Sequence, residues 1–345
     1  MSVDGTRGQP TLEQVAALAG VGRGTASRVI NGSPQVSQRT REVVMRAVEQ
    51  LGYVPNQAAR TLVTRRTGTV ALVIAESEER IFGEPFFAAV VRGISGALNQ
   101  ASRQLVLSLV HGTDQAERLG GYLTRQHVDG VILLSLHDDE SFPIDLPARG
   151  LPVVVGGRSV QWGGSFVDVD NVDGARQAVV HLAATGRRTI ATICGPQTMA
   201  PGRDRLDGYA AALADAGIAH DGQLVVEGDF SEQSGWAGME ELLARRTDID
   251  GVFAASDLMA MGALRSLRAH GRRVPEDVAV IGFDGTTASE TTDPPLSTVR
   301  QPLVELGCSL AEMLLRHVDT DDQVAEHLVL PVELIVRAST ARVDG

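Results

Sequence analysis

From Thr69 onward the chain alternates short apolar runs with stretches of helical periodicity, and this alternation restricts the possible folds more than any other feature. The runs TVALVIAE (69–76), RQLVLSLV (103–110), DGVILLSL (129–136), LPVVVGG (151–157), RTIATICG (188–195), QLVVEGD (223–229), DGVFAAS (250–256) and DVAVIGF (277–283) read as strands. Amphipathic segments such as ARQAVVHLAATG (175–186) and LMAMGALRSLRAHG (258–271) lie between them. Strand and helix in succession predict α/β architecture with parallel sheets, and two such sets joined by crossing segments predict two lobes around a cleft. Ligands of such sheets sit at the carboxyl ends of the strands.

The residues just after the strands are therefore candidates for a ligand site. Ser77, Glu84, Phe86 and Phe87 follow the first run, Arg158 the fourth, and Phe230, Ser256, Asp257 and Asp284 later ones. The mixture suits a sugar: planar side chains for ring faces, carboxylates and guanidinium groups for hydroxyls. Phe86 and Phe87, adjacent on a helix, point about 100° apart, so one is core and one faces the pocket. Asp257 either joins the site or caps the helix beginning near Leu258. Trp236, at helical spacing after Phe230, is expected to pack.

The first 67 residues differ in charge. They hold nine arginines against four acids, a balance of +5; the whole chain carries −12, so the remainder carries −17. A basic segment on an acidic body points to a nucleic-acid module attached to something else. No lysine occurs anywhere, which removes a Walker-type phosphate loop and all lysine-based Schiff-base or general-base chemistry.

Within this segment VAALAGVGRGTASRVING (15–32) crowds Gly20, Gly22 and Gly24 together. A dinucleotide fingerprint needs a strand before its glycines. Here Thr11 and Gln14 form a capping-box pattern ahead of Leu12, Val15, Ala16 and Ala19, so a helix precedes the glycines and is ended by them. Beyond the turn, Ala26, Val29 and Ile30 fall on one face, and Arg23, Gly24, Ser27 and Arg28 on the opposite one. Asn31-Gly32 and Pro34 break this second helix, and a third runs from about Ser37 through Val43, Val44, Ala47, Val48 and Leu51 to Gly52. The pattern is that of a helix-turn-helix, whose second helix enters the major groove. Arg23 and Arg28 are candidate guanine readers, with contact to phosphate alone as the alternative.

The stretch TLEQVAALAGVGRGTASRVINGSPQVSQRTREVVMRAVEQLGYVPNQAARTL resembles the DNA-binding head of LacI/GalR-type bacterial repressors, which open on T-x-x-x-V-A-x-x-A-G-V and close on L-G-Y-x-P-N-x-x-A-R-x-L. The resemblance continues through essentially the whole chain, into a body similar to periplasmic sugar-binding proteins. It implies an all-α helix-turn-helix domain over 1–55, a hinge helix and linker over 56–67, and a two-lobed effector-binding and dimerisation domain over 68–345. The DNA contacts it implies are Thr11, Arg23, Gly24, Thr25, Ser27, Arg28, Asn31, Tyr53, Asn56, Ala59 and Leu62. Leu62 corresponds to a leucine that wedges into a minor-groove step, with Ala59 beside it; packing on the body is the alternative. Gly24 stands where the family often carries a longer polar side chain, which moves base readout to Arg23 and Arg28 and predicts a GC-rich half-site.

By the same resemblance Arg205, in RLDGY, matches a ligand-binding arginine, and Ser77, Phe230, Ser256, Asp284 and Gln301 fall on ligand-contacting positions. The alternative for Arg205 is a cap on the preceding loop. Arg158 stands where relatives often have an acid. Through VGRGTASRVING, RTLVTRRTGTVAL, RLGGYLTRQHVDGVILLSLH and VFAASDLMA the chain is similar to actinobacterial regulators of cellulose and oligosaccharide use. This implies a repressor released from an inverted-repeat DNA operator by a sugar effector, first of all a β-linked disaccharide such as cellobiose. Maltose-type, xylo-oligosaccharide and monosaccharide effectors stay open, as do a nucleoside or purine, a phosphorylated sugar and a corepressor. After VRAS (336–339) only TARVDG remains, with no leucine heptads for a tetramerisation tail, so a homodimer is expected.

Catalysis finds no support. There is no G-x-S-x-G, no H-E-x-x-H and no cysteine pair, and the eight histidines lack metal spacing. No enzyme activity, cofactor or metal is expected. No apolar run approaches the roughly 18 residues of a membrane helix. MSVDGTRGQP lacks the apolar region of a secretory signal, so a cytoplasmic protein is expected and not a transport protein with the same body. Cys194 and Cys308 are read as reduced, buried residues.

Overall fold

The computed structural model describes residues 10–30, 33, 35–54, 66–110, 112–138, 146–320 and 324–341. The chain divides into two compact units, residues 1–67 and 68–345. Among the described residues the first holds three helices, α1 (Leu12–Leu18), α2 (Arg23–Ile30) and α3 (Gln38–Leu51). The capping box at the start of α1 is complete: the Thr11 hydroxyl accepts from the Gln14 amide at 3.3 Å, and Gln14 Oε1 accepts from the Thr11 amide at 2.9 Å. Gly20 ends α1 at φ +64° and Gly52 ends α3 at φ +62°, a backbone region that costs most other residues ~1–3 kcal/mol. Small side chains, among them Ala16, Ala19, Ala26 and Ala47, fill the core with Val15, Val29 and Val44, so the short helices approach closely. The hinge helix expected over Asn56 to about Arg65 lies outside the described residues.

The second unit begins β1 (Thr69–Ile74), α4 (Glu78–Gly83), α5 (Pro85–Gln100), β2 (Gln104–Leu109), α6 (Thr113–Tyr122), β3 (Gly130–Leu134), β4 (Val153–Gly156) and β5 (Ser165–Val169). It continues α7 (Asn171–Ala184), β6 (Ile190–Cys194), α8 (Ala200–Asp215), β7 (Val225–Glu227), α9 (Glu232–Arg245), β8 (Gly251–Ala254), α10 (Asp257–Ala269), β9 (Ala279–Asp284) and β10 (Ser297–Arg300). It closes with α11 (Leu303–Thr320), β11 (His327–Leu330) and β12 (Glu333–Ile335). Two six-stranded sheets result, in the orders β11-β5-β4-β3-β1-β2 and β12-β10-β9-β8-β6-β7. Among the described residues every pairing is parallel except β10 with β12. Helices cover both faces, so interior strands such as β3 and β8 are buried along their whole length and apolar throughout.

The chain crosses between the lobes three times, after β5, after β10 and between β11 and β12. The second crossing returns α11 to the first lobe, where it packs on α5. This crossing is close enough to require glycine on both helices: a Cβ on Gly93 would collide with the Val304 carbonyl, and one on Gly307 with the Val90 carbonyl. The two-lobed parallel α/β body is the one the alternation predicts. Four strands were not among the predicted runs. In β5 and β10 polar residues break the apolar pattern, and β11 and β12 are short and separated only by Pro331 and Val332.

Candidate ligand cleft and DNA-facing helix

In the first unit α2 carries the surface chemistry. Arg23, Gly24 and Arg28 are exposed and Thr25 and Ser27 half-buried, while Ala26 and Val29 turn inward. The Arg23 Nε donates to Glu13 Oε1 at 2.8 Å, both side chains being more than half exposed, and so wet a pair holds the guanidinium loosely. The Arg28 Nε donates to the Gly24 carbonyl at 3.2 Å. A Cβ on Gly24 would touch only the tip of Arg28, at 4.0 Å, so packing does not demand glycine there. Thr11 is committed to its cap, and Tyr53 packs half-buried against the core. Asn31, Asn56, Ala59 and Leu62 lie outside the described residues. What α2 offers is two exposed guanidinium forks, suited to phosphate or to the guanine edge.

In the second unit the carboxyl ends of both sheets open on one cleft between the lobes. Its floor is Arg205 on α8. The buried guanidinium donates from Nε to Asn171 Oδ1 at 2.9 Å and from NH1 to the Ala255 carbonyl at 2.6 Å. Its carbon sits 3.7 Å from the centre of the Phe283 ring, and Asp284 Oδ1 lies 3.8 Å from NH1. Burial pulls the Arg205 pKa down, and the charges of Asp284 and Asp168 oppose that pull. Asp284 accepts from Gln301 Nε2 at 2.6 Å. Burial drives its carboxyl up, to about 8; Arg205 works against the rise and Asp257 adds to it.

Two further arginines line the cleft from the first lobe. Arg158 donates from Nε to Asp168 Oδ2 at 3.0 Å and from NH2 to Asp204 on α8. Arg80 on α4 donates from NH1 to Glu76 at 2.6 Å and from Nε to Glu84 at 2.7 Å. Burial pushes the Glu84, Asp168 and Asp204 carboxyls above their ordinary values, against the pull of the arginines. The Phe230 ring stands 5.6 Å from the guanidinium carbons of both Arg80 and Arg205. Gly195 lets that ring lie against the backbone, since a Cβ there would strike it. Among the described residues, Ser102, Ser135, Phe230 and Asp284 are the non-glycine positions with positive φ, and the last three line the cleft. Backbone held at ~1–3 kcal/mol of strain per residue gathers where a ligand must be met.

Other polar ties join the lobes beside the cleft. Asp138, beyond β3, pairs with Arg203 at 2.6 Å, and His137 Nδ1 lies 2.8 Å from Thr198 Oγ1. Three consecutive residues of α8 thus divide two jobs: Arg203 and Asp204 reach the first lobe, and Arg205 floors the cleft.

Glu84, Phe86, Arg158, Arg205, Phe230, Ser256, Asp284 and Gln301 are brought together in the lining. Ser77 and Asp257 stand outside it. The Ser77 hydroxyl caps α4 by accepting from the Arg80 amide at 3.3 Å. Asp257 neither faces the cleft nor caps α10. Ser256 is the cap, accepting from the Met259 amide at 3.1 Å and donating to the Phe230 carbonyl at 3.0 Å. Asp257 is fully buried and accepts from the Thr286 amide at 2.7 Å and the Thr298 hydroxyl at 2.6 Å, tying β10 and the loop after β9 to α10. Phe87 is the core residue of its pair, and Phe86, half-buried, meets it edge-on at 5.2 Å. Trp236 packs under Arg265, 5.2 Å from its guanidinium carbon. Cys194 is buried and its thiol pushed up to about 11 by burial, whereas Cys308 is only half-buried. Arg80, Asp168, Asn171 and Asp204 were not singled out from the sequence. Of these only Arg80 left a local signal, its four-residue spacing from both Glu76 and Glu84.

Residues 11–56 match the family described as bacterial regulatory proteins, lacI family, and residues 179–340 match a periplasmic binding protein-like domain. The chain is 54% identical over 336 residues to the HTH-type transcriptional regulator CelR of Thermobifida fusca, covering 96% of this chain and 99% of that one. A solved transcriptional regulator CelR-cellobiose complex matches at TM-score 0.76 and 51% identity, over 96% of this chain and 100% of the other. The lac repressor dimer bound to operator and the anti-inducer ONPF matches at TM-score 0.84 and 29% identity, over 97% and 100% respectively.

Proposed function

The chain belongs to the LacI family of bacterial regulatory proteins and is a DNA-binding transcriptional regulator; from that premise we propose that it represses carbohydrate-utilisation genes until a neutral sugar, a β-linked disaccharide such as cellobiose, occupies the cleft. The relative whose solved complex contains cellobiose shares half of this chain's residues. The observation that carries the reading lies in the charges of the cleft. Four acids hold two of the three lining arginines, Glu76 and Glu84 on Arg80 and Asp168 and Asp204 on Arg158, and Asp284 stands 3.8 Å from the third, Arg205. Such a cleft offers an anion no net positive charge, but it offers hydroxyls a dense set of fixed donors and acceptors, with Phe86 and Phe230 for ring faces. This favours a neutral sugar over a phosphorylated one or a nucleotide.

Arg23 and Arg28 read the half-site, Leu62 wedges into the operator centre, and a homodimer matches an inverted repeat. The protein works in the cytoplasm; no described helix is long and apolar enough to cross a membrane. Sugar draws the lobes together and lowers operator affinity, which requires that it bind the DNA-releasing state more tightly. The test is fluorescence anisotropy on labelled DNA from upstream of the protein's own gene, at one stated salt concentration, with a sugar panel. Binding reversed by cellobiose is the expected result. Binding that no neutral sugar alters, or that only a phosphorylated sugar reverses, overturns the effector assignment.

A further inference from the structure

We propose that Arg80 reads the second unit of a disaccharide and thereby sets the cleft's preference for disaccharide over monosaccharide; this rests on the sugar reading above. Two of the cleft's three lining arginines, Arg205 and Arg80, stand on opposite lobes. Arg205, with Asp284 and Gln301, forms a buried floor on the second lobe. Arg80 stands on the first lobe, on a short helix, and the two guanidinium carbons approach a single ring, that of Phe230, at 5.6 Å each. In this assignment one pyranose seats on the floor with Arg205 and its partners, and Arg80, on the other lobe, is left to the rest of the ligand. A second unit reaches it.

Arg80 is built for this role. Glu76 and Glu84, one helical turn away on either side, hold NH1 and Nε, so the fork is fixed before any ligand arrives. Its other terminal nitrogen, NH2, takes no hydrogen bond among the described residues, although the side chain lines the cleft and is only 17% exposed. A donor so placed suits a ring or hydroxyl oxygen, while Glu84 beside it accepts from a neighbouring hydroxyl.

Calorimetric titration of the full chain with cellobiose and with glucose tests the assignment in wild type, Arg80→Gln and Glu84→Gln. Arg80→Gln is expected to lower cellobiose affinity about tenfold or more, toward that of glucose, while glucose affinity stays within about twofold. Glu84→Gln, which removes the charge from one of the two holds on the fork while keeping an acceptor there, is expected to shift the same ratio by a smaller factor. Unchanged cellobiose affinity, or loss of both sugars in equal proportion, overturns the assignment. If Arg80→Gln does not fold, an unchanged ratio in Glu84→Gln overturns it alone. Wild-type protein that takes neither sugar overturns the sugar reading itself and this assignment with it, and that failure shows before any variant is made.

Discussion

Arg23 and Arg28 on the head stand in water, one in a wet pair with Glu13 and the other leaning on a backbone carbonyl, whereas Arg80 and Arg205 in the cleft are largely buried, with carboxylates close by and aromatic rings beside their guanidinium groups. The exposed group gives up little when it meets a phosphate, and it gains from released counterions. The buried one has no net charge left to offer; it offers donors fixed in direction, and its acids offer acceptors. In the proposed reading one residue type serves a polyanion in one region and a neutral ligand in the other, and the difference lies in what surrounds each guanidinium.

Salt should separate the two regions most widely. Operator affinity is expected to fall about a thousandfold or more between roughly 50 and 200 mM salt, and sugar affinity by less than about twofold. Anisotropy and calorimetry on one preparation measure both, and a sugar affinity that fell in step with the operator's would mean the cleft presents net charge. Next in size is Arg205→Ala. It strands Asp284 and Asn171 without their partner, so sugar binding should drop about a hundredfold or more. Operator binding in the absence of sugar should change less than about threefold, and a large loss there would mean that the substitution damages more than the cleft. Arg28→Ala is the converse: about 1–3 kcal/mol lost on the cognate operator, less on a scrambled one, and sugar affinity unmoved. Equal losses on both DNAs would leave Arg28 a phosphate contact.

What was legible beforehand follows the same division. The head could be read because its signals are local: the Thr11–Gln14 cap, the glycine turn and one apolar stripe. The interior strands could be read because burial on both faces makes them apolar throughout. Strand β10 could not. Ser297 and Thr298 look like loop residues until Thr340 and Asp257 partner their hydroxyls. In the cleft, residues at or just beyond strand ends, such as Asp284 and Phe230, were visible from position. Asp204 was not, because it owes its place to Arg158, 46 residues away in sequence. Asp257 misled for the opposite reason: its position beside a helix start suggests a cap, but the preceding serine takes that role and frees the carboxylate for the core.

A smaller effect should appear with pH. Asp284 has a folded pKa of about 8, against about 3.9 for an unfolded aspartate, so folding takes up a proton between those values. Its contribution to stability is therefore lost as pH rises through that window, the reverse of an ion-paired surface acid. Asp284→Asn removes this dependence while keeping the shape. The melting temperature of wild type relative to the variant should fall as pH goes from about 5 to about 8. A pH-independent difference would show that Arg205 keeps Asp284 ionised throughout. That outcome would sharpen the contrast with the head, since every cleft arginine would then be matched by a full negative charge.

The smallest effect belongs to the ties between lobes. Asp138 and Arg203 are partly exposed, with 16% and 31% of their side chains accessible, and pairs of that kind contribute about 0–1 kcal/mol. Arg203 and Asp204 nevertheless share a helix turn with Arg205, so the ties between the lobes and the cleft floor sit on one rigid piece of backbone. Asp138→Asn should weaken sugar binding only about two- to fivefold, with operator affinity in the absence of sugar not reduced. Exchanging the charges, Asp138→Arg with Arg203→Asp, should restore sugar affinity to within about twofold, because attraction across the gap matters and not which side carries which sign. If the exchange fails to restore what Asp138→Asn removes, Asp138 acts through something other than Arg203. The remaining partners are the Ser159 hydroxyl and the Val160 amide, which donate to Asp138 Oδ1 at 2.9 and 3.1 Å and hold the segment after Arg158.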